Sequence, residues 1–169
     1  MLRLRPYKTS DCKYLKEWIS GRDEFFKWCA DLFEYPLNEE NIKKAQAQYD
    51  SMQNAWFFTV LDKDGEPVGF FMISNADYNN NSANIGFVVI DTEKRGLGYG
   101  KELIELAKKY AFDMLGVKRL TLKVFDDNHA AHKCYLSAGF RDTDYVKKHF
   151  DYCDRLWGCY CMEAENESG

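Results

Sequence analysis

The stretch Val88-Val89-Ile90-Asp91-Thr92-Glu93-Lys94-Arg95-Gly96-Leu97-Gly98-Tyr99-Gly100-Lys101 couples a buried strand, Ile85 to Ile90, to a turn with glycine at alternate positions. The clearest helix of the chain follows. Leu103, Leu106, Ala107, Tyr110, Ala111, Met114 and Leu115 keep the three-and-four rhythm of one apolar face, and Gly116 ends it. A helix that starts from such a turn aims free backbone N–H groups at one point, and glycine lets an anion approach that backbone closely. The stretch therefore reads as a phosphate cradle.

Two familiar phosphate loops fail on this sequence. A Walker loop needs glycine five residues before its Gly-Lys pair and a hydroxyl residue after it; Arg95 and Glu102 occupy those places. A dinucleotide fingerprint started at Gly96 or Gly98 needs a further glycine where Lys101 or Leu103 stands.

Working outward, Leu2-Arg3-Leu4-Arg5 alternates as a short strand stopped by Pro6. Asp11 is placed to cap a helix carrying Tyr14, Leu15, Trp18 and Ile19 and ending at Gly21, and Asn38 to cap a second from Glu39 to about Asp50. An aromatic connector, Phe25 to Tyr35, joins them. Trp56 to Leu61 and Val68 to Ile73 read as a hairpin around Asp62-Lys63-Asp64-Gly65, and Asn75 to Asn84 as a polar loop. After the glycine turn and its helix come a strand, Leu120 to Phe125, a short helix, Asn128 to Ser137, closed by Gly139, and a last strand, Arg155 to Met162. The expected order is β-α-α-β-β-β-α-β-α-β-β. That order makes an α/β (α+β) fold with a mixed, mostly antiparallel sheet of six or seven strands and helices on both faces. One domain over residues 1–163 is expected, with 164–169 as a frayed tail.

Composition narrows the function classes. The 169 residues are 46% hydrophobic and 16% aromatic, with 23 Lys plus Arg against 27 Asp plus Glu, a formal net charge of −4 spread evenly along the chain. No basic stripe exists for a phosphate backbone, so nucleic acid is excluded as a partner, and mild acidity favours a cationic or neutral small one. No apolar run approaches a membrane span, and the start MLRLRPYKTSD lacks a signal peptide's apolar run. A cytoplasmic protein without membrane attachment is expected. Its six cysteines contain no C-x-x-C pair and read as reduced, mostly buried thiols rather than metal ligands; neither they nor His129, His132 and His149 have metal-site spacing. His129 and His132 fall on the short helix and His149 in a polar loop.

Arg95-Gly96-Leu97-Gly98-Tyr99-Gly100 resembles the pyrophosphate loop of the GNAT superfamily of N-acetyltransferases, in which Arg/Gln-x-x-Gly-x-Gly/Ala caps a helix. A second signature stands at the right distance, Asn128-x-x-Ala131-x-x-x-Tyr135-x-x-x-Gly139-Phe140. With the element order, the resemblance covers almost the whole chain. The overall pattern looks most like the branch of ribosomal-protein alanine and spermidine acetyltransferases.

The resemblance implies acetyl-coenzyme A as cosubstrate, lying between splayed strands that end near Ile90 and start near Leu120. Its pyrophosphate would rest on Arg95, Gly96, Leu97, Gly98, Tyr99, Gly100 and Lys101, and its pantetheine on Val88, Val89 and Ile90. The Val88 N–H would polarise the thioester carbonyl. Tyr135 would be the general acid, and Asn128 would bind the coenzyme, cap the helix that presents Tyr135, or do both. In many relatives a glutamate serves as base near the position of Asn84, and an amide accepts no proton at neutral pH. Asp31, Glu34, Asp77, a water relay or an amine arriving neutral remain as alternatives. Phe26 and Trp28 are expected to wall the acceptor side, with Asp31 or Glu34 attracting a cationic amine. The function implied is acetyl transfer to a small-molecule amine or a protein N-terminal α-amino group by direct attack in a ternary complex, by a monomer or homodimer. A catalytically silent acyl-coenzyme A-binding module is the alternative, for which Asn84 is the argument.

Overall fold

A seven-stranded sheet in the order β1-β2-β3-β4-β5-β7-β6 runs through the molecule in a computed structural model that describes residues 1–168. The strands are β1 (Arg3–Pro6), β2 (Trp56–Leu61), β3 (Pro67–Asp77), β4 (Ser82–Ile90), β5 (Arg119–Phe125), β6 (Arg141–Tyr152) and β7 (Arg155–Glu165). Every pairing is antiparallel except β4 with β5. The single parallel pair is the seam on which the site is built.

Five α-helices, α1 (Cys12–Trp18), α2 (Gly21–Cys29), α3 (Glu39–Met52), α4 (Tyr99–Lys109) and α5 (His129–Ser137), cover the sheet. Two apolar cores result. One packs Leu103, Ile104 and Ala107 of α4 and Tyr135 of α5 against Phe71, Ile85 and Leu120. The other packs Leu15, Phe25, Cys29 and Ile42 of α1 to α3 against Phe57, Phe70, Met72 and Phe87. Among the described residues no helix is long and apolar enough to cross a membrane.

The α/β expectation holds, and the element order gains one helix, α2, with further differences that have physical reasons. Asp11 does not cap α1 through its side chain. Its buried carboxylate instead accepts from Arg5 at 2.6 and 2.8 Å, from the Lys8 N–H at 2.9 Å and from Thr59 at 2.7 Å, tying β1 to β2. Burial alone would push this carboxyl up; those bonds more than offset it and hold it below the usual carboxylate range. The front of the expected aromatic connector is α2. The polar loop is shorter than expected, because β3 runs on to Asp77 and β4 starts at Ser82, with Asp77 turning the hairpin by accepting from the Asn79 and Asn80 N–H groups. Helix α4 continues as a π-helical turn, Tyr110–Met114. That wider turn shifts the apolar phase and leaves Met114 exposed where the spacing had placed it on the buried face. His149 lies in β6, not in a loop. Ala164 and Glu165, expected in the frayed tail, pair with Leu120 and Arg119, and Asn166 donates its N–H to the Lys118 carbonyl at 2.9 Å. The six cysteines are free: Cys12, Cys29 and Cys159 are buried, Cys134 and Cys161 half-buried and Cys153 exposed.

Candidate active site

β4 and β5 pair only at their first residues, Ser82 with Arg119, Ala83 with Leu120 and Asn84 with Thr121. Beyond Asn84 they part, while β5 stays paired with β7 through its other edge along its whole length. The gap opens into a cleft of about 1220 Å³ that reaches the glycine turn, α5, α2 and α3.

A bulge in β4 sets the geometry at the seam. Phe70 pairs with Val89 and Met72 with Gly86, so Phe71 alone faces both Phe87 and Val88. The extra residue reverses the strand's phase: Ala83 and Ile85 belong to the α4 core, whereas Phe87 and Val89 belong to the core under α1 to α3. Phe87 adopts φ 53°, a left-handed conformation that costs a non-glycine residue roughly 1–2 kcal/mol. Its carbonyl accepts the Trp28 indole N–H at 2.8 Å, and its ring packs 4.4 Å from Phe33 and 5.6 Å from Trp28. The strain is held in place by α2.

At the other end, Gly96 and Gly98 have φ 75° and 85°, and Gly98 is the residue from which α4 starts. The first helical hydrogen bond runs from the Glu102 N–H to the Gly98 carbonyl at 3.1 Å. Among the described residues, the backbone N–H groups from Arg95 to Lys101 have no acceptor. Arg95, Gly96, Gly98, Gly100 and Lys101 line the cleft; Leu97 is exposed and Tyr99 packs into the α4 core. Gly100 has a different reason to be glycine, because a Cβ there would stand 3.3 Å from the Cys134 sulfur on α5. The cradle offers the unpaired N–H row that a pyrophosphate requires.

Tyr135 lines the same cleft, only 8% exposed, on a helix begun by Asn128, whose side-chain oxygen accepts the Ala131 N–H at 3.3 Å. That bond leaves the Asn128 amino group for a second partner, so capping and coenzyme binding are compatible. Burial, with a contribution from Cys134, pushes the Tyr135 phenol well above the ordinary tyrosine value and keeps it protonated at neutral pH. Val88, Val89 and Ile90 also line the cleft.

The acceptor-side expectations fare differently. Two residues apart on a helix, Phe26 and Trp28 project roughly 200° from each other. Trp28 lines the cleft, while Phe26 turns away to pack 4.8 Å from Tyr152 and 6.2 Å from Phe150. Asp31 is exposed and Glu34 pairs with Lys44 at 3.4 Å on the surface, and neither lines the cleft. Asp77 sits at the hairpin tip, also outside it. Asn84 lines the cleft, and its side-chain oxygen accepts the Thr121 hydroxyl at 3.2 Å.

Sequence reading missed Ser74, His149 and Lys123, which all line the cleft. Ser74 is 3% exposed and stands opposite Asn84 across the β3–β4 pair. Desolvation and the neighbouring Lys123 lower the His149 pKa, with Asp31 acting the other way, so the ring is a neutral proton acceptor at pH 7. Nothing in the pattern around His149 marks it; only the β6–β7 hairpin carries it to the seam. Among the described residues no group of His, Cys, Asp and Glu is arranged to hold a metal ion.

A sheet splayed at its one parallel pair among the described residues, with an anion cradle at one end and a buried phenol beside the gap, is the arrangement expected of a protein that holds an acyl-coenzyme A thioester. Residues 22–140 match the acetyltransferase (GNAT) family. The chain belongs to that family, the acetyl-coenzyme A-dependent N-acetyltransferases. It is similar to the spermidine N(1)-acetyltransferase of Vibrio cholerae, 23% identical over 88% of this chain and 84% of that protein. It also resembles an uncharacterized N-acetyltransferase of Methanocaldococcus jannaschii, 29% identical over 56% of this chain, and spans 58% of that relative's length. Among solved structures, the spermidine N-acetyltransferase of Vibrio cholerae in complex with CoA and spermine superposes with a TM-score of 0.84 at 21% identity, covering 97% of this chain and 95% of that one.

Proposed function

We propose that this chain transfers the acetyl group of acetyl-coenzyme A directly to a primary amine, a small-molecule amine or a peptide α-amino group, within a ternary complex. The observation that carries this reading is the splay of β4 from β5 beyond Asn84, with unpaired N–H groups at one end and Tyr135 beside it. The N–H groups of Arg95 through Lys101, with the Arg95 and Lys101 side chains, hold the pyrophosphate; Val88, Val89 and Ile90 hold the pantetheine; Asn128 donates to the coenzyme.

The amine nitrogen attacks the thioester carbon from its free-base form. A C–N bond forms, and the Val88 N–H, held at the bulge, receives the developing oxyanion. Trp28 acts through Phe87 to position that N–H. The C–S bond then breaks and the departing thiolate takes the Tyr135 proton. A sulfur leaving into the same desolvated pocket is itself a stronger base than in water, which matches it to a phenol raised by burial. The proton lost from the amine passes to water, with His149 as the neutral side chain placed to take it. Six free thiols support a reducing compartment, the cytoplasm, as the working place.

Asn84 favours a second reading, a silent acyl-coenzyme A-binding module. Thiol release from acetyl-coenzyme A in the presence of primary amines decides between them. Acetylated product and released thiol in equal amounts are the expected result; coenzyme binding without amine-dependent release from any acceptor would overturn the enzymatic reading.

A further inference from the structure

Trp28, Tyr49, Met72 and Phe87 surround one arm of the cleft on the α3 side of the sheet, opposite the face that carries Tyr135. The arm continues along β3 and β4 past Gly86, Ser74 and Asn84, roofed by Gln48 and Met52 of α3 and by Leu32. None of these side chains is charged. The polar ones are hydroxyl and amide groups, and Ser74, 3% exposed, is the hydroxyl residue of the arm's floor. Over the whole cleft, the carboxylates of the lining are Glu24 and Asp127, and Asp127 is held by Lys27 at 2.8 Å. Against them stand Lys27, Arg95, Lys101 and Lys123.

A polyamine brings two or more ammonium groups besides the one that reacts, and each must keep a carboxylate or water to offset its desolvation. Lys27 and Asp127 offset each other, and Arg95 and Lys101 face the coenzyme phosphates, so at the acceptor side this cleft gives such a molecule one carboxylate outside an ion pair, Glu24, against Lys123. A body with hydroxyl, amide and apolar groups meets complementary partners all along the arm.

We infer that the acceptor is a primary amine whose only cationic centre is the reacting nitrogen and whose body is uncharged, seated in the arm between α3 and strands β3 and β4 with Ser74 and Gln48 as its hydrogen-bonding partners. This rests on the acetyl-transfer reading and deepens it by naming the acceptor class. It separates this chain from relatives whose names give spermidine as the substrate.

Acetylation by the full chain is compared at one pH for spermidine, glucosamine, 2-phenylethylamine and alanyl-alanine amide. At least one neutral-bodied amine is expected to exceed spermidine in kcat/KM by about tenfold or more. Spermidine equal to or better than every other acceptor overturns the inference. Calorimetry on the chain saturated with coenzyme A reads the same order without turnover, so a protein that binds but does not transfer still decides the point. Tighter binding of a neutral-bodied amine supports the inference; tighter spermidine, or no binding of any neutral-bodied amine, overturns it. Gln48→Glu supplies the missing carboxylate and is expected to raise spermidine kcat/KM about fivefold or more with the acetyl-coenzyme A KM unchanged. No change for spermidine would mean that the body of the acceptor does not lie in this arm.

Discussion

The coenzyme end and the acceptor end of the cleft are made of different materials. At the coenzyme end the binding groups are backbone N–H donors from one continuous segment, Arg95 to Lys101. At the acceptor end they are side chains delivered by α2, α3, β3, β4, β5 and β6, elements far apart in the chain. A backbone site constrains the sequence locally, because it needs glycine where φ is positive and a helix directly behind. A side-chain site constrains it only through the fold.

Perturbing each end separately tests this division. The largest effect is expected where the two ends meet. Tyr135→Phe removes the proton donor while keeping the ring in its packing, and kcat is expected to fall roughly 10²–10⁴-fold with the coenzyme dissociation constant within about twofold of the parent. Equal losses in both quantities, measured by stopped assay and calorimetry, would reassign Tyr135 to packing.

Next in size is a change confined to the coenzyme end. At φ 85°, Gly98→Ala forces a side chain into the left-handed region at a cost of roughly 1–2 kcal/mol, recovered only by distorting the cradle. Acetyl-coenzyme A affinity is expected to drop about fivefold to thirtyfold, with the acceptor KM unchanged. A change in acceptor KM alone would break the division. Smaller still is Trp28→Phe, which keeps an aromatic ring but deletes the indole N–H that holds the Phe87 carbonyl at 2.8 Å. One lost neutral hydrogen bond is worth about 1 kcal/mol, so kcat is expected to fall about fivefold, with little change in either KM. A rise in acceptor KM at constant kcat would return Trp28 to the simpler role of a wall.

The pH profile gives the mildest signature. Burial raises the Tyr135 phenol above its ordinary value of about 10, so the acid form persists through the alkaline range, while the free-base fraction of the amine grows. kcat/KM is expected to rise with pH, first as His149 loses its proton below about 6.5, and to show no falling limb below about pH 10. A descending limb near pH 8 that disappears in Tyr135→Phe would mean that the filled site lowers the phenol instead.

The same division explains what was legible in the sequence. The strand and turn from Ile85 to Lys101, the α4 periodicity and the Asn128 to Phe140 signature led to the fold and the coenzyme end, because each is a local pattern imposed by backbone geometry. Phe26 lies off the cleft because the segment from Gly21 to Cys29 is a helix, which sends residues two apart to different sides, and Asp31 and Glu34 fall beyond its end, on the surface. Ser74 was hidden in what reads as the approach to a polar loop and is in fact strand; His149 was hidden in a charged segment that pairs as β6. Phe87 carries no local signal at all. Its left-handed φ follows from a bulge specified by the registers on either side and by Trp28 from a distant helix.

Backbone N–H groups of one segment are proposed to hold the coenzyme while the β4 bulge receives its thioester. Titration of uniformly labelled protein with acetyl-coenzyme A, followed by amide NMR, tests it most directly. The largest amide shifts are expected on Arg95 to Lys101 and on Val88 to Ile90, with retarded hydrogen exchange in the first segment. Saturable binding that leaves both segments unshifted would contradict it.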